Sequence, residues 1–443
     1  MYSDPKLIYK YKGVVDTPSL GMVDDILCIQ KCSSDSVNAN AVINAFIEGK
    51  KLKLSNKKCS RIHIQNKHVK NKPECPELKV HQDPMKDSTQ EKYLGDLVNT
   101  SGTIRKTIED RKCKGFGIVN EILAILDEIP LGRYKMEIGL KLRQAMLLNG
   151  MLYSSEAWHS VSELEIRMLE TVDESLLRAL VKGHAKTPLE FLYLEAGATP
   201  IRFIISSRRL LYHQTILKRE DTELTKRIYK EQKRNTTKGD FVELVAEDFK
   251  TIDQVQNDEE IRTTNTTQYK KNIKSRLKQA AFKYLKEIQS KHSKVKDISY
   301  ENLETQKYMT NPIFSNEEVN VLHALRSRGI ECKSNFKQKY LNSDLLCPLC
   351  LLENEDQKHI LTCSVIQNEF ENENISNSET KYENIFSNDV RKQKEITSLY
   401  TDLLKIRERL IKENSQEAPS STAVELTVNS NLPNSIVYSL FGK

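Results

Sequence analysis

Apolar side chains recur at helical spacing through most of the chain between residues 104 and 219, and this periodicity constrains the fold more than any other feature. Ser162-Glu-Leu-Glu165 has the spacing of a capping box, which marks a helix start. The helix that it opens would place on one face Leu164, Met168, Val172, Leu176 and Leu180. Thr199-Pro200 marks the start of another helix, and Gly115 and Gly117 are expected to kink or break an earlier one. The pattern therefore predicts an α-helical bundle over residues 103–219.

A pair of adjacent carboxylates, Asp24 and Asp25, interrupts the apolar stretch 18–30. Two carboxylates at the turn of an apolar hairpin can hold the Mg²⁺ ions of phosphoryl transfer, although most such pairs are solvated turns. A strand-like run follows the pair, and a helix is predicted over 37–49, ending at a glycine. Alternating apolar residues within 51–64 then predict two half-buried strand pieces.

These motifs and their order resemble the reverse transcriptases of non-LTR (LINE-type) retrotransposons. Met22-Val-Asp-Asp25 resembles the apolar-x-Asp-Asp box of that family, the stretch 52–59 its lysine motif, and Tyr93-Leu-Gly95 with Gly102 its primer-grip turn. The resemblance implies that Asp24 and Asp25 bind Mg²⁺ and that Lys58 lies near the triphosphate. A solvated strand lysine is the alternative interpretation of Lys58. The resemblance also implies that Tyr93 and Gly95 contact nucleic acid.

The family places its first catalytic Asp, its template-gripping fingers and its endonuclease upstream of the Asp-Asp box, whereas only 23 residues precede Asp24 here. We therefore expect a chain that binds RNA or DNA but does not polymerise alone, and the missing upstream polymerase half is its expected partner. Two other interpretations stay open. The chain could be a polymerase subunit that is active only with that half, or a zinc-stabilised helical interaction protein with vestigial polymerase motifs.

The segment 270–296 contains ten Lys and Arg residues and a single Glu. Its apolar residues fall at helical spacing, which predicts a basic amphipathic helix with one dry face. Such a helix suits a phosphate backbone because each neutralised phosphate releases counterions, although a core helix with a solvated lysine face would show the same pattern. The candidate nucleic-acid contacts are Lys270, Lys271, Lys274, Arg276, Lys278 and Lys283.

Four metal-ligating residues are spaced as C-x₂-C-x₈-H-x₃-C near the C-terminal end, namely Cys347, Cys350, His359 and Cys363. Two thiolates of a tight turn and a His and Cys one helical turn apart can complete a tetrahedral shell, which predicts a structural Zn²⁺. The alternative is a set of buried cysteines with an unrelated histidine, and Cys332 is a less favoured substitute ligand. Many LINE-type polyproteins end in a similar module, and residues 325–336 resemble its usual lead-in.

Composition adds the remaining expectations. The mean hydropathy is −0.55 and the net charge is +7, with no apolar run near the roughly 18 residues of a membrane span. We expect an intracellular protein, nuclear or cytoplasmic and not secreted, with no membrane segment. The stretch 158–197 also resembles family sequence, but no chemistry follows from it.

The predicted fold class is α+β, mostly α, with a partial polymerase palm sheet followed by a helical thumb bundle, a basic helical region and a small zinc knuckle. The predicted domains are the partial palm 1–102, the thumb-like domain 103–219, a loosely packed polar linker 220–268, the basic helical region 269–340, the zinc module 341–366, a linker and helix 367–413, and a disordered tail 414–443.

Overall fold

The structure is a computed structural model that describes residues 8–22, 25–64, 76–81, 83–128, 135–181, 183–185, 187–296, 298–339, 345–370 and 382–416. Most of these residues are helical, and the strands are short, which confirms a mostly α member of the α+β class. The helices are α1 (Ser33–Gly49), α2 (Arg105–Glu128), α3 (Lys135–Leu142), α4 (Leu148–Met151), α5 (Glu163–Leu180), α6 (Leu189–Ala196), α7 (Ile201–Lys218), α8 (Leu224–Arg234), α9 (Phe241–Thr251), α10 (Asp258–Thr263), α11 (Thr266–Gln289), α12 (Lys307–Thr310), α13 (Asn316–Arg326), α14 (Gln357–Thr362), α15 (Ser364–Asn368) and α16 (Val390–Gln416).

The strands all lie before residue 100 and pair only in twos among the described residues. They are β1 (Ile8–Tyr11), β2 (Val15–Pro18), β3 (Leu20–Met22), β4 (Asp25–Leu27), β5 (Ser60–Arg61), β6 (Lys79–Val80), β7 (Asp83–Pro84), β8 (Lys86–Asp87), β9 (Gln90–Tyr93) and β10 (Asp96–Asn99). Four pairs are antiparallel, and β5 with β8 is parallel. The described strands therefore do not form the continuous sheet expected of a partial palm.

The alternation predicted over 51–64 does not give two half-buried strands. Only β5 forms there, and Leu52 and Ile64 are each 57% exposed. Alternating apolar residues form a stable strand only where another layer covers their face. The described residues supply no such layer over Leu52 or Ile64, so this prediction is wrong.

The helical bundle follows the predicted pattern closely. Ser162 caps α5 with its hydroxyl, which accepts from the Glu165 N–H at 3.3 Å, and the Glu165 carboxylate accepts from the Ser162 N–H at 2.7 Å. The predicted capping box is therefore confirmed. The buried face of α5 differs in its first two turns, because Leu164 is 59% exposed and Met168 is half-buried, while Ile166 and Leu169 are buried. The first turn of α5 thus points its leucine to solvent.

Glycines do not break α2, which continues from Arg105 to Glu128. Gly115 lies against Val172 of α5, where an added Cβ would approach the Val172 Cγ1 atom to 2.8 Å. Gly117 faces open space, because an added Cβ would meet no atom of the described residues within 4 Å. One glycine therefore permits close helix packing, and the predicted kink is absent from this helix.

Residues 220–268 differ from the loosely packed polar linker that was predicted. They form α8, α9 and α10, and these helices bury Tyr229, Val245, Phe249 and Ile261. The rings of Tyr229 and Phe249 pack against the buried His213 of α7, with centroids 5.3 Å and 6.1 Å from the His213 ring. A few large apolar side chains are enough to dock three short helices, although the overall composition is polar.

The chain divides into two compact units, Met1–Ile330 with Glu383–Thr397, and Glu331–Tyr382 with Ser398–Lys443. The division falls inside α16, which extends to Gln416 rather than ending at the predicted residue 413. The rest of the predicted tail, 417–443, lies outside the described residues. None of the helices in the described part combines the length and apolar character that spanning a bilayer requires.

Candidate metal centre

Cys347, Cys350, His359 and Cys363 come together in the second unit. One ligand atom from each lies within 4.8 Å of all the others. The Sγ atoms of Cys347 and Cys363 are 3.9 Å apart, and the Cys350 Sγ is 3.4 Å from the His359 Nε2. A tetrahedral Zn²⁺ with bonds of about 2.0–2.3 Å separates its ligand atoms by about 3.3–3.8 Å. The group could therefore hold a metal ion, and its donors and spacing are compatible with zinc.

Two local structures position these ligands. In the loop that holds the first two cysteines, the Cys347 N–H donates to the Glu353 carbonyl at 2.7 Å and the Leu351 N–H to the Cys347 carbonyl at 3.0 Å. The side chain of Asp356 then caps α14 by accepting from the His359 N–H at 2.7 Å. Because Cys363 follows α14 directly, a single turn of helix presents His359 and Cys363 on the same side.

The two thiols of the loop differ in acidity. Burial raises the pKa of Cys347 to about 11. Burial also opposes ionisation of Cys350, but hydrogen bonds from the N–H groups of Leu352 and Glu353, followed by the contact with the Cys347 side chain, lower its pKa to about 7. Thiolates are the metal-binding form of cysteine, so Cys350 is the thiol of this pair that reaches that form most readily at neutral pH.

Buried polar contacts attach this loop to other parts of the second unit. Glu355 is buried and accepts from the Lys333 N–H at 2.9 Å and from Arg407 Nη2 at 2.6 Å. The Tyr400 hydroxyl donates to the Gln357 carbonyl at 2.7 Å. Cys332, the alternative ligand, is buried but does not belong to the four-residue group that the described part of the chain contains.

The polymerase-type residues lie in the first unit. β3 and β4 form an antiparallel hairpin in which Met22 pairs with Asp25, as expected around the Asp-Asp motif. Asp24 and the side chain of Asp25 lie outside the part of the chain that the structure describes. The Mg²⁺ site therefore stays a prediction.

Lys58 lies in an exposed turn rather than on a strand, and its N–H donates to the Ser55 carbonyl at 2.9 Å. The alternative interpretation of Lys58 as a solvated strand lysine is therefore correct about exposure and wrong about the strand, and the position near the triphosphate stays a prediction. The cause is the short length of β5, which begins only at Ser60.

Tyr93 and Gly95 lie at a tight hairpin turn between β9 and β10, where Tyr93 pairs with Asp96. The turn residues Leu94 and Gly95 have φ values of 47° and 94°, the left-handed conformation that two-residue hairpin turns require. Arg111 of α2 donates to the Gly95 carbonyl at 3.0 Å and to Asp96 at 2.9 Å. The predicted turn is therefore present and is fixed to the helical bundle.

The predicted basic helix is α11. A buried row at every fourth position contains Tyr269, Ile273, Leu277, Ala281 and Leu285. Next to it runs a second row at the same spacing, which we call the lysine ridge and which contains Lys270, Lys274, Lys278, Phe282 and Lys286. All six predicted contact residues are exposed, and Lys271, Arg276 and Lys283 lie outside the ridge. Within the described residues, the lysines at 270, 274 and 278 form no ion pair.

A buried ionic cluster around Glu195 of α6 was not predicted. Its carboxylate accepts from Arg326 Nη2 at 2.9 Å and from the Tyr308 hydroxyl at 2.5 Å, and the Tyr300 hydroxyl also donates to it. Burial and the Glu195 charge raise the pKa values of both tyrosines well above their usual range. The only sequence signal was that Glu195 and Arg326 each lie in a stretch that resembles the LINE-type family.

Comparisons of this chain with protein-family models, with curated proteins and with solved structures found no match.

Proposed function

We propose that this chain is a nucleic-acid-binding part of a LINE-type reverse transcriptase whose C-terminal module folds around a structural zinc ion. The observation that carries the proposal is the convergence of Cys347, Cys350, His359 and Cys363, whose ligand atoms lie within 4.8 Å of one another. Four protein ligands fill a tetrahedral shell, so the ion would have no open position for catalysis. The order of the Asp-Asp hairpin, the β9–β10 turn and this module also supports the proposal.

The lysine ridge on α11 supports the nucleic-acid part of the proposal. Its lysines are exposed along one side of a helix whose other side is buried. Successive ridge residues rise about 6 Å along the helix axis, which suits the spacing of phosphates along one strand. Lys270, Lys274 and Lys278 would contact phosphates, with Lys271, Arg276 and Lys283 adding charge around them. Tyr93 and Gly95 would contact the same nucleic acid.

The upstream polymerase half would be the protein partner of residues 8–102. Each described strand of this part pairs with a single other strand, so a strand of the partner would extend one of these two-stranded pairs. Val14, Leu52 and Ile64 are each more than half exposed. Asp24 and Asp25 would complete a Mg²⁺ site together with a carboxylate of that partner.

A salt titration with a labelled RNA–DNA duplex tests the nucleic-acid part, and the zinc content of the purified chain tests the metal part. We expect one zinc per chain, lost in Cys347→Ser, and an affinity that falls steeply as salt rises. Changing Lys270, Lys274 and Lys278 to Gln should lower the slope of log affinity against log salt by roughly 2–3, at about 0.7–0.9 per phosphate contact.

A matched control removes three positive charges from exposed lysines outside the lysine ridge. Lys238, Lys250 and Lys392 are exposed and lie on other segments, so their change to Gln should leave the slope unchanged. Equal effects of the two triple variants would mean that only net charge matters, and the ridge would not be the contact. Zinc without duplex binding would favour the zinc-stabilised helical interaction protein, for which Asp24→Ala should alter neither nucleic-acid nor Mg²⁺ binding.

A further inference from the structure

Glu353 contacts metal-ligating residues through both its side chain and its backbone, although it is not itself one of the four. Its carboxylate Oε2 lies 3.0 Å from the His359 Nδ1, and its main-chain carbonyl accepts from the Cys347 N–H at 2.7 Å. The His359 side chain is 6% exposed, whereas that of Glu353 is 70% exposed. The exposed Glu353 side chain therefore contacts the buried His359 ring on the side of the ring that faces solvent.

The direction of this hydrogen bond determines which nitrogen of His359 can bind a metal. An ionised carboxylate can only accept a hydrogen bond, so the Nδ1 atom of His359 must carry the proton. In a neutral imidazole the Nε2 atom then has a free lone pair, and this is the atom that faces the Cys350 Sγ at 3.4 Å. The contact thus selects the tautomer and the ring orientation that direct Nε2 to the centre of the four ligands.

We infer that Glu353 is a positioning residue that holds His359 in its metal-binding tautomer and orientation. The inference rests on the zinc site proposed above. Carboxylate partners of metal-binding histidines act by fixing the ring before the ion arrives and by increasing the basicity of the ligating nitrogen. The carbonyl contact to Cys347 depends on the backbone alone, so a change of the Glu353 side chain isolates its effect on His359.

Zinc affinity of the full chain, measured by competition with a chelator, tests the inference. Glu353→Ala removes the acceptor and should weaken zinc binding about 10- to 100-fold. Glu353→Gln keeps a side-chain oxygen that can accept from Nδ1, so its affinity should lie nearer that of the unaltered chain. Asn354→Ala changes the next residue of the same loop without touching the contact and should leave the affinity unchanged.

A proton NMR signal gives a second measurement that a general loss of stability would not reproduce. In the zinc-loaded chain the His359 Nδ1–H should be protected from exchange by its hydrogen bond to Glu353. The signal should be lost by exchange in Glu353→Ala and kept in Glu353→Gln and Asn354→Ala. If the unaltered chain binds no zinc, the proposed function fails. Stoichiometric zinc with equal affinity in Glu353→Ala would instead overturn the inference alone.

Discussion

At the scale of single residues, the buried carboxylate of Glu195 joins two distant parts of the sequence. Its side chain is fully buried and paired with Arg326, 131 residues away. Removing one member of a buried ion pair leaves the other charge without compensation, at a cost of about 3–5 kcal/mol. We expect Glu195→Ala to lower the free energy of unfolding by this amount, as measured by urea unfolding.

Glu190 provides the matched control because it lies on the same helix, α6, with a side chain that is 20% exposed and 3.5 Å from His292. Glu190→Ala should cost about 1 kcal/mol or less, as expected of partly exposed pairs. Equal losses in the two variants would contradict a special role for the Glu195 cluster. The partner of Glu195 could not be predicted, because no local pattern connects a glutamate to an arginine so far along the chain.

At the scale of elements, features that depend on residues close together in the sequence were predicted more accurately than features that depend on distant residues. The capping box at Ser162 and the C-x₂-C and H-x₃-C pairs of the metal group each depend on residues within a few positions, and the structure places them as expected. The strands over 51–64 and the linker 220–268 depend on which distant surface covers them. Periodicity and composition carry no information about that surface. The predictions for these two segments therefore differ from the structure.

Alanine substitutions of the two glycines of α2, Gly115 and Gly117, test how closely this helix packs. An added Cβ at Gly115 would lie 2.8 Å from Val172 Cγ1 and 3.1 Å from Met151 Sδ, both in the buried packing of the bundle. Gly115→Ala should therefore destabilise the chain by about 1–3 kcal/mol through overpacking, offset in part by its better helix propensity. Thermal and urea unfolding measure the net change.

Gly117 is the control within the same helix. A Cβ added at Gly117 would meet no atom of the described structure within 4 Å. Gly117→Ala should therefore raise the free energy of unfolding by up to about 1 kcal/mol through helix propensity alone. The two substitutions are chemically identical and should have opposite signs. A stabilising Gly115→Ala would show that α2 and α5 are packed less closely than the structure indicates.

At the scale of the whole molecule, the two units differ in what stabilises them. The first contains a large apolar core, with Ile108, Ile122, Leu169 and Leu210 fully buried. Residues 345–370 of the second bury few apolar side chains, chiefly Ile360, Leu361 and Ile366 beside the cysteines. A segment with so small a core would depend on the proposed zinc ion for folding, whereas the bundle would not.

Removal of the metal should therefore unfold one unit locally and leave the other intact. Hydrogen exchange measured by mass spectrometry should show that a chelator abolishes amide protection in residues 345–370 and leaves it unchanged in α7. The same chelator saturated with zinc beforehand is the control, because it cannot withdraw the ion. Loss of protection in α7 as well would mean that the units do not fold independently, and retained protection in 345–370 would mean that packing alone holds the module. Only selective loss agrees with a metal that acts as the core of its own small domain.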